Sequence, residues 1–508
     1  MSSHDTGTGD TGTAAVETGS GTGTADDAES GTVGTGTRTV RFSGLRSGSA
    51  PMSWGQQAIW KSINWLAEEA HYFNLARVVA LPGGTTTDGV LSVLGELIAR
   101  HEALRSTFAN GPDGPVQRVY GNGSAAVAVH AAPADAPGPP DEADAQALAD
   151  RLAATPFRNG EEFGMRYAVL TYAGEPVWLV MVVSHQATDY GGVRVMEDEL
   201  ARLLRGESLE PVEWQPLDQA RHQQEGEGAR RGRAALDHWE RALSTAPTSH
   251  FDFPPPPDGA GEDDPGRFVR LRLASVAGAV AAQRLADRCR VSTSTVLLTA
   301  AAATLAAYTG HDRAVMLLIA GNRNEPRLQS MVGAQTENAL FVLAPGEGTF
   351  EDAVRGGFLP TMSAYRYGEY DPAAMDEVHE RVGRARGRKL DLSAFFNDVR
   401  MRDRWDALPD TGDDPEALLA LRARSEISFI GSWARQDAKY FVHTPYCPDR
   451  LHLYLMADTH YLPVPVIEGL LRAMETLLVE SVHGKVTPAE ALRGLTLPTA
   501  DRAPDSGA

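Results

Sequence analysis

Seven consecutive apolar residues, Val177–Val183, run directly into the polar sequence Ser-His-Gln-Ala-Thr-Asp at residues 184–189. A strand that is apolar on both faces belongs in the interior of a sheet that other elements cover. A second strand pattern, Met165–Tyr172, precedes it across a short Ala-Gly-Glu-Pro turn, so the two are predicted to form a hairpin. The chain is therefore predicted to contain a buried sheet, with a histidine and an aspartate directly after one of its interior strands.

Strand and helix patterns alternate along most of the chain. In the first half, the strand pattern Phe73–Leu81 precedes an amphipathic helix that starts at Thr87. The pattern restarts with a strand at Phe268–Leu273 and helices over Val276–Cys289 and Ser294–Thr309. This order predicts an α/β protein made of two α+β two-layer halves of similar size. We assign residues 38–225 to an N-terminal lobe and residues 226–497 to a C-terminal lobe.

The first 37 residues have a different composition from the rest of the chain. They contain 9 Gly, 10 Thr and 4 Ser, six acidic residues and no Lys or Arg. Such a segment buries too little apolar surface to offset its ordering entropy. Residues 1–37 are predicted to be a disordered tail, and residues 498–508 a second one.

Charge and cysteine content exclude several classes of protein. The chain has 47 Lys and Arg against 67 Asp and Glu, a net charge of -20, which argues against a nucleic-acid or anionic-membrane partner. Cys289 and Cys447 lie far apart without a neighbouring Cys/His cluster, so neither a disulfide framework nor a zinc site is predicted, and no metal is expected. Since no long apolar span or signal peptide is recognisable, we expect a cytoplasmic protein.

His185 is the residue on which chemistry is predicted to depend. It stands at the end of a buried strand, with Asp189 four residues on and Gly191-Gly192 behind it, and histidine accepts protons near neutral pH. The alternative is a core histidine that only caps the strand. Asp189 is expected to orient the imidazole or, preferably, to hold the loop through an ion pair.

Arg105 is the candidate partner of Asp189, and Arg323 is its rival. Trp54, Trp60 and Trp65 have helical spacing and are expected in the core, and His101 is expected to pack the end of its helix. A Ser184-His185 hydrolase is discounted, since adjacent strand residues point to opposite faces and no G-x-S-x-G occurs.

Several dispersed motifs share one order with a known family. Residues 53–60 contain S-x-x-Q-x-x-x-W, residues 100–108 are close to R-H-E-x-L-R-T-x-F, and residues 184–190 fall on H-H-x-x-x-D-G. Residues 321–323 resemble an N-R segment, residues 331–338 a V-G-x-x-x-N stretch and, loosely, residues 392–397 an S-x-x-P-L-F strand. From about Arg38 to about Leu495 the chain resembles condensation domains of nonribosomal peptide synthetases, which belong to the chloramphenicol acetyltransferase-like superfamily.

The resemblance implies two acetyltransferase-like lobes arranged as a V, with an active-site tunnel between them. It implies transfer of an acyl or aminoacyl thioester from a carrier protein to a free or carrier-bound amine, or to a hydroxyl, giving an amide or an ester. No intrinsic cofactor is expected, because the partner carrier protein supplies the phosphopantetheine arm. No adenylation segment or carrier serine motif is recognisable, so the chain resembles a stand-alone condensation enzyme of specialised-metabolite assembly.

Two positions depart from the family motif. Ser184 replaces the first histidine and Tyr190 the glycine, whereas the catalytic second histidine is present as His185. Tyr190 is expected to narrow or re-aim the acceptor side, unless Gly191 and Gly192 take over the permissive backbone angles. Their N–H groups are candidate oxyanion donors.

Glu337 and Asn338 are candidate substrate-channel residues, since the family places their stretch near the crossing between the lobes. Two other functions stay open. One is a catalytically silent relative that recruits carrier proteins or tailoring enzymes, which the departures at Ser184 and Tyr190 suggest. The other is an acyltransferase that uses coenzyme A thioesters.

Overall fold

The computed structural model describes residues 35–133, 136–400, 402–412 and 414–495. The two predicted tails lie outside the described residues, except that the first strand already begins at Thr35. Cys289 and Cys447 are free thiols.

In its described residues, the N-terminal lobe has eight strands and five α-helices. The strands are β1 (Thr35–Ser43), β2 (Gly48–Pro51), β3 (Asn74–Ala80), β4 (Ser106–Gly111), β5 (Gly114–Val119), β6 (Asn122–Ala131), β7 (Met165–Tyr172) and β8 (Glu175–Ser184). The helices are α1 (Trp54–Leu66), α2 (Thr87–Arg100), α3 (Glu142–Ala153), α4 (Tyr190–Leu204) and α5 (Pro216–Gln224), and 3₁₀ turns cover Ala67–Phe73 and Glu102–Arg105.

Two sheets organise this lobe. The larger has the order β1-β6-β7-β8-β3, in which only β6 and β7 are parallel neighbours, and the smaller has the order β2-β5-β4. The predicted hairpin β7–β8 is present: Ala173 and Gly174 both have positive φ, at 50° and 86°, as a type I′ turn requires. Strand β8 is interior and buried from Leu179 to Ser184, so the apolar run lies where the sequence predicts it.

The described part of the C-terminal lobe contains seven strands and nine α-helices. The strands are β9 (Phe268–Ser275), β10 (Ala314–Ala320), β11 (Glu337–Leu343), β12 (Ala394–Asp398), β13 (Glu426–Trp433), β14 (Tyr440–Thr444) and β15 (Leu451–Asp458). The helices are α6 (Gly226–Leu243), α7 (Val276–Cys289), α8 (Thr293–Thr309), α9 (Pro326–Gln329), α10 (Phe350–Arg366), α11 (Pro372–Arg386), α12 (Pro415–Arg422), α13 (Val464–Glu480) and α14 (Pro488–Ala491).

One seven-stranded sheet, ordered β11-β10-β12-β14-β15-β9-β13, organises this lobe. Strands β10, β12 and β14 run parallel to one another and the other neighbours are antiparallel. Helices α7 and α8 match the predicted positions to within one residue, and α8 is buried on nearly every face. The predicted lobe boundary falls between α5 and α6.

A short segment of the C-terminal half crosses into the N-terminal lobe. We call residues Met331–Thr336, between α9 and β11, the crossing segment. Its Val332 is buried in the apolar core of the N-terminal lobe. Helix α1 meets it at Gly55, where an added Cβ would lie 2.5 Å from the Ala334 carbonyl oxygen. The two lobes are therefore in close contact at this segment.

The mixed α/β architecture with two open-sheet lobes is the predicted fold class, which is confirmed. No single helix in the described part of the chain is both long and apolar enough to cross a membrane. Helices α7 and α8 meet that criterion only together, as a pair bent by 106°.

A candidate active site between the two lobes

A cavity of about 380 Å³ lies where the lobes meet, and His185 forms part of its wall. The N-terminal lobe contributes α1, the 3₁₀ turn after it, β3, His185 and the first residue of α4. The C-terminal lobe contributes residues of β9 to β12 and β14, with the loop at 436–438. The wall is therefore complete only when both lobes are in place.

His185 follows the last residue of β8 and precedes α4. Its ring packs edge-on against Phe73, with the ring centroids 6.3 Å apart. Nδ1 is buried and makes no hydrogen bond to another described residue. Burial lowers the pKa of His185, and the charge of Asp189 offsets this only in part. The imidazole is therefore neutral at pH 7 and able to accept a proton.

Asp189 holds the loop to the C-terminal lobe. Its Oδ1 accepts hydrogen bonds from the Gly192 N–H at 2.9 Å, as the N-cap of α4, and from Arg323 Nη2 at 2.6 Å. Its Oδ2 accepts from the backbone N–H of Gln335 at 2.9 Å. Because both oxygens accept hydrogen bonds from other groups, Asp189 holds the loop in position and acts on the imidazole only through its charge.

Arg105 is not the partner of Asp189, so that prediction was wrong. Its guanidinium donates to the backbone carbonyls of Ala99, Arg46 and Tyr120, at 3.3, 2.7 and 2.7 Å. These bonds connect helix α2 with the loops before β2 and after β5, so Arg105 stabilises the N-terminal lobe itself. The rival prediction, Arg323, forms the ion pair.

Gly191 and Gly192 lie in the first turn of α4, and neither has a positive φ. Neither glycine therefore takes over the permissive backbone angles, so the exception allowed for Tyr190 does not apply. A Cβ at Gly191 would collide with the Arg323 side chain, and one at Gly192 with Thr188 Oγ1. The glycines therefore let Arg323 and the crossing segment approach the helix. The Gly192 N–H is bound to Asp189, so it is not a free oxyanion donor.

The two positions that depart from the family motif face different surroundings. Ser184 is buried beside the cavity rather than in its wall, and its hydroxyl donates to Asn159 Oδ1 at 3.0 Å. Tyr190 lines the cavity, and the guanidinium of Arg77 lies 5.0 Å from its ring centroid. Ser184 thus has a structural partner, whereas Tyr190 shapes the space in front of His185.

Glu337 and Asn338 both line the cavity, at the start of β11. Glu337 Oε2 accepts from the Tyr370 N–H at 3.3 Å, while Oε1 is buried without a hydrogen-bond partner in the described chain. Burial, and then the charge of Glu369, raise the pKa of Glu337 well above its usual range. Counted from Val332, the V-G-x-x-x-N spacing puts the motif asparagine at Glu337, so a carboxyl occupies that position. A part of Glu337 and Asn338 in substrate binding stays a prediction.

Of the three tryptophans expected in the core, Trp65 contradicts the expectation. Its side chain is 41% exposed, it lines the cavity, and Arg435 lies 4.0 Å from its ring centroid. Trp54 is buried as expected. His101 packs at the end of α2 and bonds Glu199 at 2.6 Å, as predicted.

Five polar cavity residues of the C-terminal lobe are not recognised in the sequence: Arg270, Asn397, Gln436, Asp437 and His443. For Arg270 a signal exists, because Val269–Leu273 alternates apolar and basic residues, which puts Arg270 and Arg272 on the face opposite the core. Asn397 and His443 carry no local signal that marks them as cavity residues. No group of three or more His, Cys, Asp or Glu side chains that could hold a metal ion occurs among the described residues.

Comparisons with known proteins agree on one family. A family model described as the condensation domain matches residues 46–371. Surfactin synthase subunit 1 of Bacillus subtilis is 26% identical over 306 residues, which cover 59% of this chain and 8% of that protein. The first curated relatives are far longer, and the match spans about a tenth of their length or less, from 2% to 11%.

Solved structures share the fold at low identity. The condensation domain of the monacolin K polyketide synthase MokA superposes with a TM-score of 0.64 and 16% identity, over 87% of this chain and 98% of that one. The SgcC5 protein from Streptomyces globisporus, solved with (R)-(-)-1-(2-naphthyl)-1,2-ethanediol and sucrose, gives 0.63 and 16%, over 86% of this chain and 100% of that one. At these identities the neighbours establish the fold alone.

Proposed function

The chain belongs to the condensation domain family, and from this premise we propose that it is an acyltransferase that joins a carrier-bound acyl or aminoacyl thioester to an amine or hydroxyl acceptor. The product is an amide or an ester of a nonribosomal or related specialised-metabolite pathway. The carrier proteins are proposed to act in trans, and their phosphopantetheine arms bring the donor to the cavity.

The observation that carries the proposal is a neutral histidine in a cavity that both lobes enclose. His185 Nδ1 is buried, and burial lowers the pKa of the ring, so the ring has the protonation state of a general base. Asp189 binds Arg323 and Gln335 and keeps the loop in place. The site therefore has a base on a loop that is fixed to the opposite lobe.

The proposed reaction transfers one acyl group and one proton. The acceptor nitrogen or oxygen attacks the thioester carbonyl carbon, and His185 removes the acceptor's proton. The carbon–sulfur bond then breaks, and the thiolate takes that proton from the imidazolium. Amines react readily with thioesters, so holding the two reactants together supplies much of the rate, and a positioned base adds roughly 10²- to 10⁴-fold.

Hydroxyl acceptors are included for a specific reason. The Streptomyces globisporus neighbour was solved with a 1,2-ethanediol. A hydroxyl is a weaker nucleophile than an amine, so its attack depends more strongly on a base. Tyr190, which lies in the cavity wall where the family motif has glycine, is proposed to limit the size of the acceptor.

Intact-mass spectrometry of acyl-loaded carrier proteins tests the proposal. The carriers are incubated with matched amine and alcohol acceptors and with the purified 508-residue protein. Acyl loss from the carrier together with the matching amide or ester supports the proposal. Transfer from coenzyme A thioesters without a carrier would indicate the coenzyme A-dependent alternative. Carrier binding without transfer would indicate the silent, recruiting alternative.

A further inference from the structure

Arg270 is a buried cation in the cavity wall. Its residue is 7% exposed, on strand β9 of the C-terminal lobe. Within the described chain its guanidinium makes one hydrogen bond, to the Tyr72 hydroxyl of the other lobe at 3.3 Å, and it lies 4.6 Å from the ring centroid of Trp433. No carboxylate of a described residue lies within the 4.0 Å that defines an ion pair.

Several other buried or half-buried arginines of this protein have a carboxylate or several backbone carbonyls as partners. Arg400 pairs with Asp398 at 2.7 Å, Arg323 with Asp189 at 2.6 Å and Arg267 with Asp458 at 2.7 Å. In the cavity wall itself, Arg77 pairs with Glu197 at 3.2 Å. Arg105 has no carboxylate but donates to three backbone carbonyls. Arg270 differs from all of these, since four of its five N–H donors have no partner in the described chain.

The groups around Arg270 do not neutralise it. His443, in the same wall, has its pKa lowered to about 3 by burial and then by the charge of Arg270, so it is neutral at pH 7. Asp437 also lines the cavity, but it lies beyond ion-pair distance, and burial raises its pKa. The free N–H donors of Arg270 thus have no anion of the described chain to bind, and a ligand in the cavity that carries an oxyanion would supply one.

We propose that Arg270 binds an oxyanion of the molecule that occupies the cavity, and that this group is a carboxylate on the donor acyl chain or on the acceptor. The inference rests on the proposed function, because it names a chemical feature of the substrate of the same site. The planar fork of arginine matches a carboxylate through two parallel hydrogen bonds. The aromatic rings of Phe73, Phe395 and Phe441 in the same wall suit the apolar part of such a substrate.

A phosphate offers the same chemistry as a carboxylate from another source, the phosphopantetheine arm. Arg272, two residues along the same face of β9, has a buried Nε without a partner in the described chain. The positive face of β9 thus extends beyond Arg270. The experiment therefore compares a carboxylate probe with phosphopantetheine itself.

NMR titration of the full chain tests the inference by binding alone. The two fluorinated probes are 3-(4-fluorophenyl)propanoate and its primary amide, and phosphopantetheine, which contains no fluorine, is followed by phosphorus NMR. Each probe is titrated against wild type, Arg270→Gln and the control Arg450→Gln, whose arginine pairs with Asp449 outside the cavity. We expect the propanoate to bind wild type and Arg450→Gln at least about tenfold more tightly than the amide. In Arg270→Gln that preference should disappear.

Arg270→Lys is a second variant in case Arg270→Gln folds poorly. Lysine keeps the positive charge but lacks the planar guanidinium that forms two parallel hydrogen bonds. This variant should therefore retain only a part of the preference for the propanoate over the amide. Arg270-dependent binding of phosphopantetheine but not of the propanoate would overturn the assignment to a carboxylate and give the oxyanion site to the phosphate of the arm. Two further results would overturn the inference. One is equal affinity of wild type for the propanoate and the amide, with no Arg270-dependent binding of phosphopantetheine. The other is a preference for the propanoate over the amide that survives in Arg270→Gln.

The outcome is separable from that of the proposed function. Acyl transfer by wild type without an Arg270-dependent oxyanion preference would reject this inference and leave the condensation activity. An Arg270-dependent preference without acyl transfer from any carrier would reject the condensation activity and leave the oxyanion site.

Discussion

Arg323 Nη2 in the C-terminal lobe lies 2.6 Å from Asp189 Oδ1 in the N-terminal lobe. Asp189 is four residues after His185, on the same loop. Arg323 also donates to the carbonyls of Leu328, Met331 and Gly333, so it connects the crossing segment to that loop. The position of the proposed base in one lobe is therefore fixed by the other lobe.

Removing either partner of this ion pair should destabilise the protein strongly. The side chains of Asp189 and Arg323 are 3% and 15% exposed, and an unpaired charge left at such a site costs about 3–5 kcal/mol. We expect Asp189→Asn and Arg323→Met each to lower the melting temperature clearly and to reduce acyl transfer. Thermal and urea unfolding measure the first effect, and carrier-deacylation rates the second.

The matched control is Arg381→Met, which breaks the exposed pair of Arg381 with Glu240. It should change stability by less than about 1 kcal/mol. If Arg323→Met lowered the stability of the protein as little as this control, Arg323 would not hold the loop that carries Asp189.

Gly55 is predicted to be required for the contact between helix α1 and the crossing segment. A Cβ there would lie 2.5 Å from the Ala334 oxygen and 2.7 Å from the Gln335 Cα, and backbone atoms cannot move away cheaply. Gly55→Ala should cost about 1–3 kcal/mol, although alanine favours a helix. Chemical denaturation of the purified variant measures this loss.

Gly356 in helix α10 is the control, because a Cβ there meets nothing within 4 Å. Gly356→Ala should stabilise the protein by about 0.5–1 kcal/mol. Equal effects of the two substitutions would contradict the close approach at Gly55.

The pKa of His185 sets an acid limit for the proposed catalysis. Burial lowers that pKa below the usual 6.5, so the competent neutral ring persists at pH 6.5 and is lost as the pH falls through the lowered value. Because the unfolded chain binds this proton more readily, stability falls as the pH drops from about 6.5, the unfolded value, to the lowered value of the folded protein. NMR titration of ¹³Cε1-labelled histidine, with the His185 signal assigned by its absence in His185→Ala, measures the pKa.

The urea-unfolded chain provides the reference, in which His185 should titrate near 6.5. A folded-state titration at or above the unfolded value would contradict the lowered pKa and the burial to which we attribute it.

Tyr190 is predicted to control the size of the acceptor. It stands in the cavity wall beneath the Arg77 guanidinium, so Tyr190→Ala enlarges the space in front of His185. The rate with a bulky acceptor relative to a small one should rise about tenfold or more. Competition between two acceptors of different size, read by product mass, gives this ratio directly.

Tyr120→Ala is the matched control, since Arg118 lies 4.9 Å from the Tyr120 ring centroid in a similar pair outside the cavity. It should leave the product ratio unchanged. An unchanged ratio in Tyr190→Ala as well would show that Tyr190 does not limit the acceptor.

The sequence predicts well those features that depend on local pattern. The apolar run of β8 predicts an interior strand, and its end predicts the place of His185. The apolar spacing of α7 and α8 predicts both helices. Helix α11 was not predicted, because its charged sequence hides the few apolar residues, Met375, Val378 and Val382, that pack with Trp239.

Long-range partners were harder to predict. Arg105 and Arg323 are equally good partners for Asp189 by residue type, and only the crossing segment brings Arg323 to it. The glycines after Asp189 were interpreted through backbone angles, whereas their function is to leave room for a side chain from another lobe. In the sequence, Arg270 is one residue of an ordinary alternating strand. Its contact with Tyr72 of the other lobe is visible only in the folded protein.

Single-turnover acyl transfer by wild type, His185→Ala and the control His130→Ala tests the central claim most directly. His130 is a histidine of β6 outside the cavity. With an acyl-loaded carrier and its acceptor, we expect His185→Ala to be slower than wild type by roughly 10²- to 10⁴-fold, and His130→Ala to match wild type. Equal rates for His185→Ala and wild type would contradict the assignment of His185 as the base.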